Sequence, residues 1–204
     1  IRRNPTHADS YQARFPRLIA VYLSKLRLVE LAFERGGYDV VLWHDAGHWI
    51  SHACQHDIRQ YRFADGPELT RGEALDQSLR ELADAHPVVG TLSRPGRERF
   101  HMPLSWMREH AARIDQRRAD ALVRSLYTAV LWAFRRDAFG AFAAAFRRAW
   151  DALIRSGQAG IEENALTIAA WCQDAPGLAY PAWRHLLGGA LSHAAVTRPG
   201  EAPP

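Results

Sequence analysis

Six residues, Tyr38-Asp39-Val40-Val41-Leu42-Trp43, stand between a glycine pair, Gly36-Gly37, and the polar turn His44-Asp45-Ala46-Gly47. The run is short and rich in β-branched and aromatic side chains, so it predicts a strand. Its continuous apolar stretch predicts burial on both faces. Upstream, Leu18, Tyr22, Leu26, Val29 and Phe33 recur at spacings of three and four, which puts them on one helix face. Pro16 suits the first turn of that helix, and the glycine pair ends it. A helix running directly into a buried strand restricts the chain to folds in which helices cover a sheet.

The remaining pattern repeats this alternation. Thr70-Arg71-Gly72-Glu73 has the spacing of a capping box, and Leu75, Leu79 and Leu82 keep helical periodicity up to the break at His86-Pro87. Val88-Val89-Gly90-Thr91-Leu92 predicts a second strand. Residues 105–124 are helical in pattern. Leu126 to Phe134 fits either a helix or a buried strand, with a strand favoured for its later part. Phe139, Phe142, Phe146, Trp150 and Leu153 share one face of a helix over 138–155. The turn Gln158-Ala159-Gly160 leads into another helix, 161–172, and a short last helix is expected over 183–193. Together these predict a single α/β domain over 1–197, followed by a loose tail over 198–204. The expected sheet is mixed or mostly parallel and flanked by helices. In such sheets ligands bind beyond the carboxyl ends of strands, which directs attention to Asp45.

Charge and cysteine content narrow the function classes. Only Lys25 is a lysine among 26 basic side chains, and the net charge is +4. The arginines fit either a compositional bias or binding of an anion through their two-pronged fork. So small and scattered a charge predicts no nucleic-acid partner. Cys54 and Cys172 form no CxxC pair and no disulfide framework, so a reducing, cytoplasmic location is expected. No run of 18 apolar residues or secretory signal is present, which predicts no membrane span. The chain begins at Ile1 without a methionine, which leaves room for a leading segment.

Several residues are candidates for chemistry. Asp45, at a strand mouth and followed by Gly47, can bind Mg²⁺ or Mn²⁺, or can simply stabilise its own turn. His44, His48, His52 and His56 recur every fourth residue; they fit surface or structural histidines, or a metal site with Asp45. Glu162 and Glu163 suit the dipole of a helix start, or can serve as a general base or hydroxyl-binding carboxylate. Lys25 fits a snorkelling lysine or a phosphate contact. His185 and His193 bear on a site only if they approach Asp45.

A central lysine in Tyr22-Leu23-Ser24-Lys25-Leu26 followed by the strand and Trp43-His44-Asp45-Ala46-Gly47 resembles the middle of a GT-A glycosyltransferase. It is especially similar to the HtrL/YibB-like bacterial proteins, with their Trp-x-Asp-Ala-Gly segment. Gly157-Gln158-Ala159-Gly160-Ile161-Glu162-Glu163-Asn164-Ala165-Leu166 resembles a Gly-x-x-Gly-x-(Asp/Glu)-Glu-x-x-Leu stretch of such proteins. The resemblance spans roughly 20–175 and rests on these two stretches. It implies a GT-A-like fold, lacking the first βα unit that cradles the nucleotide base. It implies transfer of a sugar from a nucleotide-sugar donor to a glycan or other hydroxyl acceptor. Asp45, Gly47 and Lys25 would then bind donor, with Asp45 and His185 holding Mn²⁺ or Mg²⁺. Glu162 and Glu163 would be catalytic, near the acceptor or donor sugar. Gly47 stands where the family usually has the second aspartate of Asp-x-Asp. Two other readings remain open here: a metal-dependent hydrolase built on His44, Asp45, His48 and His52, and a non-catalytic binding domain with a degenerate GT-A-like fold.

Overall fold

The computed structural model describes residues 16–45, 77, 79–93, 104–114, 125–155, 162–178 and 196–197. In chain order these form α1 (Pro16–Arg35), β1 (Val40–His44), α2 (79–85), β2 (Val88–Leu92) and α3 (Leu104–Ile114). They continue as β3 (Tyr127–Arg135), α4 (Arg136–Arg155), α5 (Glu162–Cys172), β4 (Gly177–Leu178) and β5 (Val196–Thr197). The capping box at 70–73, the turn at 157–160, the short helix at 183–193 and the tail lie outside the described residues.

The sheet order is β1-β3-β2-β4-β5. It is a mixed sheet covered by helices, as the helix–strand alternation predicts, but it is not mostly parallel. Neighbouring pairs β1/β3, β2/β3 and β4/β5 run antiparallel, and only β2/β4 is parallel. The reason is that β3 lies between β1 and β2, opposed to both. Periodicity shows which residues are apolar; it carries no information on strand direction, and both directions bury the same side chains.

Side chains alternate across the sheet, so each strand serves two cores. Trp132 and Phe134 of β3, Val88 and Leu92 of β2, and Val41 and Trp43 of β1 face α1, α3, α4 and α5. Trp132 stacks on Phe134 with ring centroids 5.9 Å apart and meets Phe142 of α4 at 5.2 Å. The opposite face holds Leu131, Ala133, Val89 and Leu178, covered by Leu79 and Leu82 of α2. β2 is buried at every position. β1 is half-buried throughout instead. Among the described residues it pairs with β3 alone.

Arg136, the first residue of α4, fixes the junction of α1 and β1. Its guanidinium donates to the carbonyls of Phe33, Gly36 and Tyr38 at 2.8–2.9 Å, where the end of α1 leaves carbonyls without helical partners. Its backbone N–H donates to Asp39. One side chain therefore sets the angle at which β1 leaves α1.

β3 carries an irregularity next to Asp45. Gly90 pairs with Trp132, yet the next residue, Thr91, pairs with Thr128. Residues 129–131 are thus extra on the β2 side, a large bulge. Its polar groups find partners: Thr91 Oγ1 donates to the Leu131 carbonyl at 2.7 Å, and Trp132 Nε1 donates to the Thr128 carbonyl at 2.7 Å. The Val130 carbonyl accepts from the Asp45 backbone N–H at 2.8 Å. Gly90 lets Trp132 and Tyr127 close over this region. A Cβ at Gly90 would lie 2.6 Å from the Trp132 ring and 2.7 Å from Tyr127, both buried and unable to withdraw. Gly90→Ala should therefore destabilise the protein by about 1–3 kcal/mol through overpacking. A urea-melt midpoint lowered at constant slope would bear this out, and an unchanged midpoint would refute it.

Candidate functional site

α1, β1 and α5 converge at one charged cluster. Lys25 lies on the buried side of α1, one residue before Leu26 of the apolar stripe. Asp45 follows β1 directly, and Glu162 opens α5. The Lys25 Nζ donates to Asp45 Oδ2 and to Glu162 Oε1, each at 2.8 Å. Side-chain exposure is 12% for Lys25, 28% for Asp45 and 6% for Glu162. Asp45 is thus the member that faces outward. The ammonium also sits 6.0 Å from the centre of the Trp43 ring, within reach of a cation–π contact.

Burial pulls the Lys25 pKa down, but the charge of Glu162 and the hydrogen bonds that the ammonium donates to Asp45 and Glu162 outweigh it. The net result lies above the ordinary lysine value. Lys25 is consequently a fixed cation at neutral pH. It is neither a base nor a nucleophile, since both need the neutral amine.

The two glutamates have separate tasks. Glu162 is buried against Lys25, whereas Glu163 Oε1 accepts from the backbone N–H of Ala129 at 3.2 Å. Glu163 therefore holds the β3 bulge, one residue from the Val130 carbonyl that anchors Asp45. Sequence reasoning pointed to the pair but not to this division. Alternation along α5 does not reveal which of two adjacent carboxylates meets a strand.

His44 does not join the cluster. Strand alternation turns it to the face opposite Trp43, and it is paired with Leu131 of the second core. Burial lowers its pKa, with the Asp45 charge opposing. Gly47, His48, His52, His56, His185 and His193 lie outside the described residues.

Beneath the cluster is a cavity of about 10 Å³, walled by Trp43, Trp132, Phe134, Phe146 and Leu166 with Lys25 and Glu162 at its polar end. That space admits one water at most, so a sugar ring would have to meet the cluster from the Asp45 side. The Trp43 Nε1 donor is buried without an acceptor among the described residues.

A resident Mn²⁺ or Mg²⁺ does not fit the described residues. Such an ion needs several oxygen ligands around it, and Asp45 and Glu162 already converge on an ammonium. No three His, Cys, Asp or Glu side chains converge elsewhere among the described residues. Nor is any described helix long and apolar enough to cross a membrane.

Two predictions follow from these charges. Lys25→Met leaves Asp45 and Glu162 facing each other without a cation and should cost about 3 kcal/mol of stability. Adding Glu162→Gln to Lys25→Met should recover part of that loss, because the buried carboxylate is then neutral. Chemical denaturation of the single and double variants measures both, and a double variant no more stable than Lys25→Met would contradict the assignment. The second prediction concerns acid. His44 has a folded pKa below its unfolded value of 6.5, so the folded state binds fewer protons. Its contribution is fully present above pH 6.5 and is lost as pH falls from there through the lower folded pKa. His44→Gln should flatten the fall in melting temperature over this window, and an unchanged slope would refute it.

No family model, curated protein or solved structure matches this chain.

Proposed function

We propose that this chain is a GT-A-like glycosyltransferase domain that moves a sugar from a nucleotide-sugar donor to a glycan or other hydroxyl acceptor. The observation that carries this reading is the meeting of the two stretches on which the resemblance rests. Asp45 and Glu162 are 117 positions apart in number, yet both bond to the one ammonium of Lys25. Residues that serve only as a turn and as a helix start have no reason to share a buried cation.

The chemistry of the cluster suits a polyhydroxyl substrate. Carboxylates accept strong hydrogen bonds from sugar hydroxyls, and Asp45 presents one to the outside. Glu162, at the start of α5, would take or orient the proton of an acceptor hydroxyl. Among the described residues β1 pairs on one side only, and its other edge, beside the same mouth, is where the first βα unit of the resemblance would add. A diphosphate leaving group also needs positive charge, from basic side chains or from a bound divalent cation.

No such carrying observation favours the hydrolase reading: among the described residues no three His, Cys, Asp or Glu side chains come together. A panel of nucleotide sugars, nucleotides and sugars, read by thermal shift and by transfer to simple glycosides, tests the proposal. At least one nucleotide sugar should raise the melting temperature. Asp45→Asn and Glu162→Gln should each lower turnover by about 100-fold or more. The proposal fails if no nucleotide sugar shifts the transition, a result that would point to a non-catalytic domain, or if Asp45→Asn retains full turnover.

A further inference from the structure

In the resemblance, the carboxylate after the strand holds a divalent cation. Here the Asp45 carboxylate already holds a cation, and that cation is covalently part of the chain. We propose that Lys25 is the built-in cation of this site, standing between Asp45 and Glu162 where a divalent metal ion would otherwise bridge them, so that the carboxylate pair takes up no metal in the intact protein.

Geometry comes first. The ammonium lies 2.8 Å from an oxygen of each carboxylate, which is contact distance on both sides. A second cation placed between the same oxygens would overlap it. One placed beside Asp45 would face a positive charge only a few ångströms away.

Residue type is the second observation. Lys25 is the single lysine among 26 basic side chains, so a compact ammonium stands where the rest of the chain uses arginine. The difference has physical meaning at this position. Carboxylates from β1 and α5 approach one nitrogen from separate directions. A tetrahedral ammonium donates along separate directions, whereas the flat guanidinium fork matches a carboxylate side-on. Arg135 does the latter with Asp137, at 2.7 and 2.9 Å.

Burial is the third. Lys25 and Glu162 are enclosed, and a charge so enclosed is retained only when paired. The cluster therefore keeps its cation through folding, which a dissociable ion does only at sufficient concentration. Occupancy of the pair by Lys25 stands independently of the transferase reading; the corollary that transfer needs no divalent metal rests on it.

The experiment exploits the single lysine. Labelled at Cε, Lys25 gives one ¹³C resonance from the whole chain. Titration of the wild-type protein with Mn²⁺ should leave that resonance without paramagnetic broadening, and Mn²⁺, Mg²⁺ or a chelator should leave the melting temperature unchanged. Lys25→Ala should lower the melting temperature, and either Mn²⁺ or methylammonium should restore it saturably by occupying the vacated place. If Lys25→Ala folds only when one of these cations is present, the same conclusion is reached. Broadening of the Lys25 resonance by Mn²⁺ would overturn the proposal. So would a saturable Mn²⁺ stabilisation of the wild type that Asp45→Asn abolishes, or a Lys25→Ala protein indifferent to both cations. None of these readouts requires a sugar donor. A failed donor panel therefore counts against the transferase reading and leaves this proposal standing or falling alone.

Discussion

The ammonium of Lys25 is the point at which three elements become one structure. α1, β1 and α5 meet at it, joining positions separated by 20 and 137 residues. Each partner brings a cost: an enclosed lysine and an enclosed glutamate are both strongly disfavoured when alone. The pairing offsets that cost only if all three elements are correctly placed. The cluster is therefore a weak source of net stability and a strict condition on geometry. An apolar replacement of the group could pack as well, but nothing would then require the start of α5 to lie opposite the end of β1.

The bulge in β3 meets that condition. A regular β3 would carry the ladder from Trp132 onward without interruption and leave no N–H directed at α5. Displacing residues 129–131 from β2 frees the Ala129 N–H for Glu163, while the Val130 carbonyl carries the β1 ladder on to the Asp45 N–H. Two neighbouring residues of β3 thus connect the first turn of α5 to the residue after β1. Tyr127 and Trp171 lock the neighbouring segment: the Tyr127 hydroxyl donates to the Ala175 carbonyl at 2.6 Å, and Trp171 Nε1 donates to the Ser125 carbonyl at 2.8 Å. The large aromatic side chains of this face are more than apolar filling, since their polar atoms hold the backbone around the irregularity.

The sequence reveals elements better than it reveals their relations. The stripe ending in Leu26, Val29 and Phe33 marks α1 because a helix buries one face, and those three side chains are buried. Val88–Leu92 forms a strand with the expected bounds, since Pro87 ends the helix before it and every residue of the run is buried. Tyr127–Arg135 forms a longer strand than its ambiguous pattern indicates. Strand direction is invisible, because apolar periodicity is the same either way. The burial of β1 is overestimated because Val40, Val41 and Leu42 read alike on a central strand and on a half-covered one. The contribution of Arg136 is also hidden: a guanidinium that caps a helix about 100 residues earlier leaves no local pattern. Asp45 and Glu162 are legible as candidates, while their shared partner follows only from the packing of α1 over the sheet.

One local feature of the sequence does carry information across the chain, and it is compositional. An arginine-rich chain places guanidinium groups at its exposed pairs, as in Arg27 with Glu30 and Glu34 or Arg147 with Glu30. Such exposed pairs accept many geometries and contribute little. The single lysine is found instead at the enclosed position, where one nitrogen must satisfy two carboxylates from different elements. A bias that converts every tolerant position to arginine leaves lysine only where the side chain's shape is constrained. In a chain of this composition the one exception thus marks the point where α1, β1 and α5 meet.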